Sequence, residues 1–66
     1  MKPDITKMED GGYYWYETRF GWEIGQIHFD LEEEDNEIWM EIIGDGEPYY
    51  DFRHVIGYNY NKIERN

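Results

Sequence analysis

Residues 13–31 read YYWYETRFGWEIGQIHFDL, and the spacing of their apolar side chains decides the fold class. In Tyr13 to Phe20, Tyr14, Tyr16, Thr18 and Phe20 recur at every second position with Glu17 and Arg19 between them. That is the period of a strand with one buried face. Gly21 can turn the chain. The next run alternates as Trp22 and Ile24, then one residue out of step as Ile27, Phe29 and Leu31. The glycine at the slip, Gly25, is read as a β-bulge that keeps the apolar set on one face.

Working outward, Glu32 to Asn36 is a polar stretch of hairpin-loop length, and Ile38, Met40 and Ile42 resume the alternation. Gly44-Asp45-Gly46-Glu47-Pro48 is a strong turn signal. Beyond it, Tyr50, Phe52, His54, Ile56, Tyr58 and Tyr60 fall on one face of an extended segment, opposite Tyr49, Asp51, Arg53, Val55, Gly57 and Asn59. A short helix over 48–57 competes, because Pro suits a first helical turn and Gly the position past the end. The strand reading is preferred, since Tyr, Phe, Val and Ile favour a pleated surface.

The expectation is a mainly β, small single-domain antiparallel meander of about four strands over residues 13–66, preceded by an N-terminal arm at 1–12 that ends in Glu9-Asp10-Gly11-Gly12. Its expected core is Tyr14, Tyr16, Phe20, Ile24, Ile27, Phe29, Ile38, Met40, Ile42, Phe52 and Ile56. Trp15, Trp39 and Tyr49 fall on the other side of the sheet, which is either covered by the arm or a contact surface.

A chain of 66 residues has room for one domain and buries only about 60% of its unfolded surface. With no Cys, disulfides and thiolate metal sites are excluded. Seven Tyr, three Trp and three Phe supply the mass for a core, so the chain is expected to fold despite a net charge of −10. No stretch has the length of a membrane span and the N-terminus leads into no apolar segment, so a soluble, cytoplasmic protein is expected.

The charge is unevenly distributed. Between Arg19 and Arg53 there is no Lys or Arg, yet eleven carboxylates occur: Glu23, Asp30, Glu32, Glu33, Glu34, Asp35, Glu37, Glu41, Asp45, Glu47 and Asp51. Like charges at this density repel one another in the compact state, which suggests that the acidity serves a basic partner. Bare nucleic acid and anionic lipid would be repelled.

Catalysis is not expected. The chain has neither Cys nor Ser, and Thr6 and Thr18 lie in no nucleophile motif. Paired carboxylates of the glycosidase kind need a cleft that a chain of this length rarely encloses. Asp30, Glu32, Glu34, Asn36 and Glu41 fall in a register similar to an EF-hand loop, but Asp35 stands where that loop needs Gly for its turn. His28 and His54 have no third nitrogen or sulfur ligand to complete a zinc site. Neither a metal nor a cofactor is expected.

The carboxylate array has a direct physical use. Residues i and i+2 of a strand point the same way about 6.8 Å apart, roughly two base-pair rises of DNA. Acids on strands and loops can therefore present negative charge at a density approaching that of a phosphate backbone. The partner-binding residues are expected to be Asp30, Glu32, Glu33, Glu34, Asp35, Glu37, Glu41, Asp45 and Glu47.

In its length, its cysteine-free composition, its aromatic content and its segregated acidity the chain resembles the small acidic inhibitors encoded by phages and mobile elements, including DNA-mimic anti-CRISPR proteins. The resemblance implies that the protein docks in the host cytoplasm on the basic surface with which a CRISPR effector grips target DNA, and excludes the DNA by competition. Two alternatives use the same residues differently. One is a carbohydrate- or peptide-binding module with Trp15, Trp39 and Tyr49 as an aromatic platform. The other is an immunity protein or antitoxin that neutralises a basic nuclease.

Overall fold

The computed structural model describes residues 1–30, 37–43, 48–49 and 51–64. A 3-10 turn, Ile5–Lys7, precedes five strands: β1 (Tyr13–Thr18), β2 (Gly21–Asp30), β3 (Glu37–Ile42), β4 (Pro48–Tyr49) and β5 (Gly57–Asn59). They form one antiparallel sheet in the order β4-β3-β2-β1-β5, so the mainly β expectation holds.

The register is unbroken where a bulge was expected. β1 pairs with β2 from Tyr13↔Gln26 through Tyr14↔Gly25 to Thr18↔Gly21. β2 pairs with β3 from Gly25↔Ile42 to Asp30↔Glu37. The glycine serves packing and not a slip: a Cβ at Gly25 would lie 2.5 Å from Met40 Sδ, 2.6 Å from its Cγ and 3.3 Å from Tyr16 Cε1. Met40 and Tyr16 fill the space that a side chain would occupy, and Trp22 and Ile24 are left on the face opposite Ile27.

One face of the sheet carries the core. Tyr14, Tyr16, Ile27 and Met40 are buried there together with Phe52 and Val55 from the segment between β4 and β5. This segment replaces the long fourth strand expected over 49–60. Val55 N–H donates to the Phe52 carbonyl (3.1 Å), and the turn through Arg53 and His54 sends both Phe52 and Val55 inward. Side chains three apart cannot share one face of a strand, so the period-two reading fails here, and Ile56 is 61% exposed where core was expected. The chain instead crosses from the β4 edge to the β5 edge over the core. Phe20 also leaves the expected core: it sits in the two-residue turn between Thr18 and Gly21 and is 83% exposed. Tyr49, paired with Met40, faces the core and meets Phe52 edge-on at 5.9 Å.

The N-terminal residues lie on this same covered side. Pro3 is buried and Met8 packs against the core. The Met1 ammonium donates to the carbonyls of Phe52 and Val55, and the Tyr58 hydroxyl donates to the Met1 carbonyl. Glu9 N–H donates to the Tyr14 hydroxyl (2.8 Å) and Asp4 N–H to the Tyr60 hydroxyl (3.1 Å). These tyrosines thus satisfy backbone groups of the arm with their hydroxyls, while the Met1 ammonium satisfies carbonyls of the crossover.

Two of these phenols are held well above the usual tyrosine range. Burial is the main cause for Tyr16, followed by its hydrogen bond to Glu23 Oε2 (2.9 Å). Burial is again the main cause for Tyr58, followed by Tyr60 and Tyr49.

Two expectations follow from this packing. Gly25→Ala should destabilise the fold by about 1–3 kcal/mol through overpacking, and nearly all of that cost should vanish in a Met40→Ala background, where the added methyl has room. Denaturant titrations of the four chains give the coupling; equal costs in both backgrounds would reject the contact. A phenol whose folded pKa is raised stabilises the fold fully below its unfolded value near 10 and loses that contribution as pH rises toward the folded value. Stability should therefore fall above about pH 10, and Tyr16 and Tyr58 should resist phenolate formation until the chain unfolds, as read by ultraviolet absorbance.

Candidate functional site

Strict alternation across an unbroken register assigns every strand side chain to a face. The face turned away from the core receives Tyr13, Trp15 and Glu17 from β1, Trp22, Ile24, Gln26, His28 and Asp30 from β2, and Glu37, Trp39 and Glu41 from β3, with Ile43 just beyond it. All three tryptophans of the chain are in this set. Among the described residues the arm and the crossover lie on the opposite side, and this face is open at Trp15 (38% exposed), Trp22 (49%) and Ile43 (48%). Trp15, Ile24 and Ile43 border a shallow depression of about 310 Å³ that also touches Glu23 and Ile42.

The carboxylates on this face sit beside the indoles. Glu17 is the cross-strand partner of Trp22 and lies two residues along β1 from Trp15. Glu37 and Glu41 flank Trp39 on β3. The His28 ring stacks on Trp39 with centroids 5.4 Å apart and planes at 16°, and its Nε2 lies 3.6 Å from Glu41. Among the described residues the Glu17 carboxylate has no hydrogen-bond or ion-pair partner.

The cations are placed elsewhere. No described strand residue is Lys or Arg. Arg53 forks onto Asp51 in the crossover (2.8 Å), Lys62 pairs with Glu9 (2.6 Å), Lys7 lies over the Tyr60 ring and Arg19 over the Phe20 ring. The Arg53 guanidinium holds the Asp51 carboxyl far below the ordinary carboxylate range, chiefly through their hydrogen bonds. Positive charge is thus neutralised or held in the arm, turn, crossover and C-terminal segment, while the open face is left acidic.

Of the nine residues expected to bind a partner, three fall within the described structure. Asp30 and Glu37 are brought together as the last pair of the β2–β3 ladder, and Glu41 lies further along the same face opposite Gln26. Glu32, Glu33, Glu34, Asp35, Asp45 and Glu47 lie outside the described residues. The EF-hand-like register also reaches into that segment. Its end members are held apart, because Asp30 pairs with Glu37, four residues and about 13 Å of strand from Glu41. Among the described residues no three His, Asp or Glu side chains come together as a metal site requires. No described helix is long and apolar enough to cross a membrane.

Glu17, Trp22, Ile24 and Ile43 were not expected at a site. The signal for them is the apparent slip in β2: apolar residues at both parities of one strand mean two faces with apolar content, not one face kept by a bulge. The expected platform of Trp15, Trp39 and Tyr49 is corrected as well, since Tyr49 faces the core and Trp22 lies on the open face with the other two indoles. Comparison of the chain with protein-family models, with curated proteins and with solved structures returns no match.

If the open face is a surface and not a second core, Trp22→Ala should change stability by less than about 1 kcal/mol, whereas Ile27→Ala, 1% exposed, should cost about 2–5 kcal/mol. Parallel urea titrations compare the two. A larger loss for Trp22 would mean that the face is covered.

Proposed function

We propose that the protein is a non-catalytic acidic inhibitor of the anti-CRISPR kind, which docks on the basic DNA-binding surface of a CRISPR effector and blocks target DNA by presenting negative charge in its place. The observation that supports this reading most directly is the open sheet face, with Glu17, Asp30, Glu37 and Glu41 at strand positions and no Lys or Arg among the described strand residues. Side chains on a preformed sheet need no folding transition to meet a broad partner, so the ordering cost of association is small. The charge steers encounter, and exposed indoles among the acids slow dissociation. In this reading Glu32, Glu33, Glu34, Asp35, Asp45 and Glu47 also contact the partner.

A second reading, an aromatic platform for a neutral carbohydrate or peptide, is favoured by the exposure of Trp15 and Trp22. The two differ in their response to salt. Charge mimicry weakens as ionic strength rises, because exposed charges are screened within about 8 Å at physiological ionic strength, while stacking on indoles changes little.

The test is a mobility-shift competition with a purified CRISPR effector and its target DNA. The protein alone should not retard DNA, since its field repels phosphate. With the effector present it should release the DNA. Glu33→Lys with Glu34→Lys, or Glu17→Lys with Glu41→Lys, should weaken the complex by several kcal/mol through new like-charge contacts while the fold remains intact by circular dichroism. Retardation of DNA by the protein alone, or full inhibition by both folded reversal variants at low salt, would reject charge mimicry.

A further inference from the structure

We infer that the open face selects arginine over lysine, its occupant being the guanidinium groups of a protein surface laid flat against the indoles. The inference rests on the proposed reading of a basic protein partner and names the side chain that this face takes. Each indole of the chain is exposed or half-buried on one face with a carboxylate as its neighbour in the register. Trp22 is 49% exposed opposite Glu17, directly opposed residues having Cβ atoms about 5 Å apart. Trp15, 38% exposed, has Glu17 two positions along its own strand, about 6.8 Å away. Trp39 lies between Glu37 and Glu41.

A flat ring and an adjoining carboxylate match the two recognition elements of guanidinium. Its plane stacks on an aromatic face, and its fork of N–H groups donates to a carboxylate in a parallel pair. An ammonium is a strongly hydrated point charge, and it would have to shed water to reach the same ring. Gly57 flanks Glu17 on the β5 side, where an added Cβ would sit 3.5 Å from Glu17 Oε1, so the carboxylate is not walled in by a side chain there. The depression bordered by Trp15, Ile24 and Ile43 offers apolar surface for the methylene stem of an arginine. The complementary charge, the exposed Trp15 and Trp22 indoles and the unpaired Glu17 together favour an arginine-bearing protein surface over a second copy of this acidic chain, which would bring like charges together.

The test uses the whole protein with two probes of equal length and charge, an oligo-arginine and an oligo-lysine nonapeptide, at physiological salt. Affinity is read by titration, and the site by the indole N–H signals in nitrogen-proton correlation spectra. The arginine peptide should bind about tenfold more tightly and shift the Trp22 and Trp15 indole signals. Trp22→Ala and Glu17→Gln should each bring the ratio near one while weak, salt-sensitive binding of both peptides persists. Trp22→Leu serves the same purpose if the alanine variant unfolds. Equal affinities in the parent protein, an unchanged ratio in the Trp22 and Glu17 variants, or self-association that hides the Trp22 indole would overturn the inference. Absence of arginine preference in the parent protein, with DNA displacement intact, rejects this inference alone. Arginine preference without DNA displacement rejects the proposed inhibition and leaves the surface assignment standing.

Discussion

The contact on which the rest of the structure depends is the close approach of Met40 and Tyr16 over Gly25, where any side chain would collide with Met40 at 2.5 Å. It lies at the centre of the sheet, where β1, β2 and β3 all meet. Filling the gap above a glycine keeps β2 in register with both neighbours. Side-chain parity along β2 is therefore never reset, and a strand with apolar residues at both parities must offer apolar surface on both faces. One of those faces is closed by the arm and the crossover, with Phe52 and Val55 inserted. The other carries the tryptophans and stays open.

This division explains how so small a chain can combine an aromatic composition with a net charge of −10. Tyr14, Tyr58 and Tyr60 serve the closed side, because a phenol can pack its ring and still place a hydroxyl on a backbone group of the arm. Tryptophans serve the open side, where an indole adds contact area beside carboxylates that remain in water. The strands contain no described Lys or Arg, so no cation neutralises the open face from within the sheet. Self-repulsion among these acids lowers the stability of the fold. The proposed inhibition accounts for that cost, since complementary charge on a partner would relieve it.

The mainly β class was legible from alternation in 13–20 and 37–43, since period two with aromatic and β-branched residues has few other readings. Tyr14, Tyr16 and Met40 followed from the same alternation, whereas Ile27 and Phe52 are buried although the bulge and the long strand that placed them in the core are absent. Gly25 could not be read correctly from sequence alone, because a bulge and a close side-chain approach both call for glycine, and only the residue across the ladder distinguishes them. Residues 51–56 misled for a related reason. Phe52 and Val55 fit opposite faces of a strand, but a crossover over an exposed core gains more by turning both inward. At the site, Asp30, Glu37 and Glu41 were legible as acids on a hairpin, whereas Glu17 and Trp22 became neighbours only through the register.

The most direct measurement of the central claim, that unbroken pairing of β2 puts the tryptophans on one open face, is the set of cross-strand nuclear Overhauser contacts in solution. A continuous ladder through Tyr14–Gly25 and Trp15–Ile24 is expected, with Trp15 ring protons close to Ile24 methyls and with Met40 methyl protons close to the Gly25 α-protons. A one-residue offset beginning at Gly25, with Ile24 methyls in contact with Tyr14 or Ile27 on the core side, would contradict it and remove the face on which the proposed function is built.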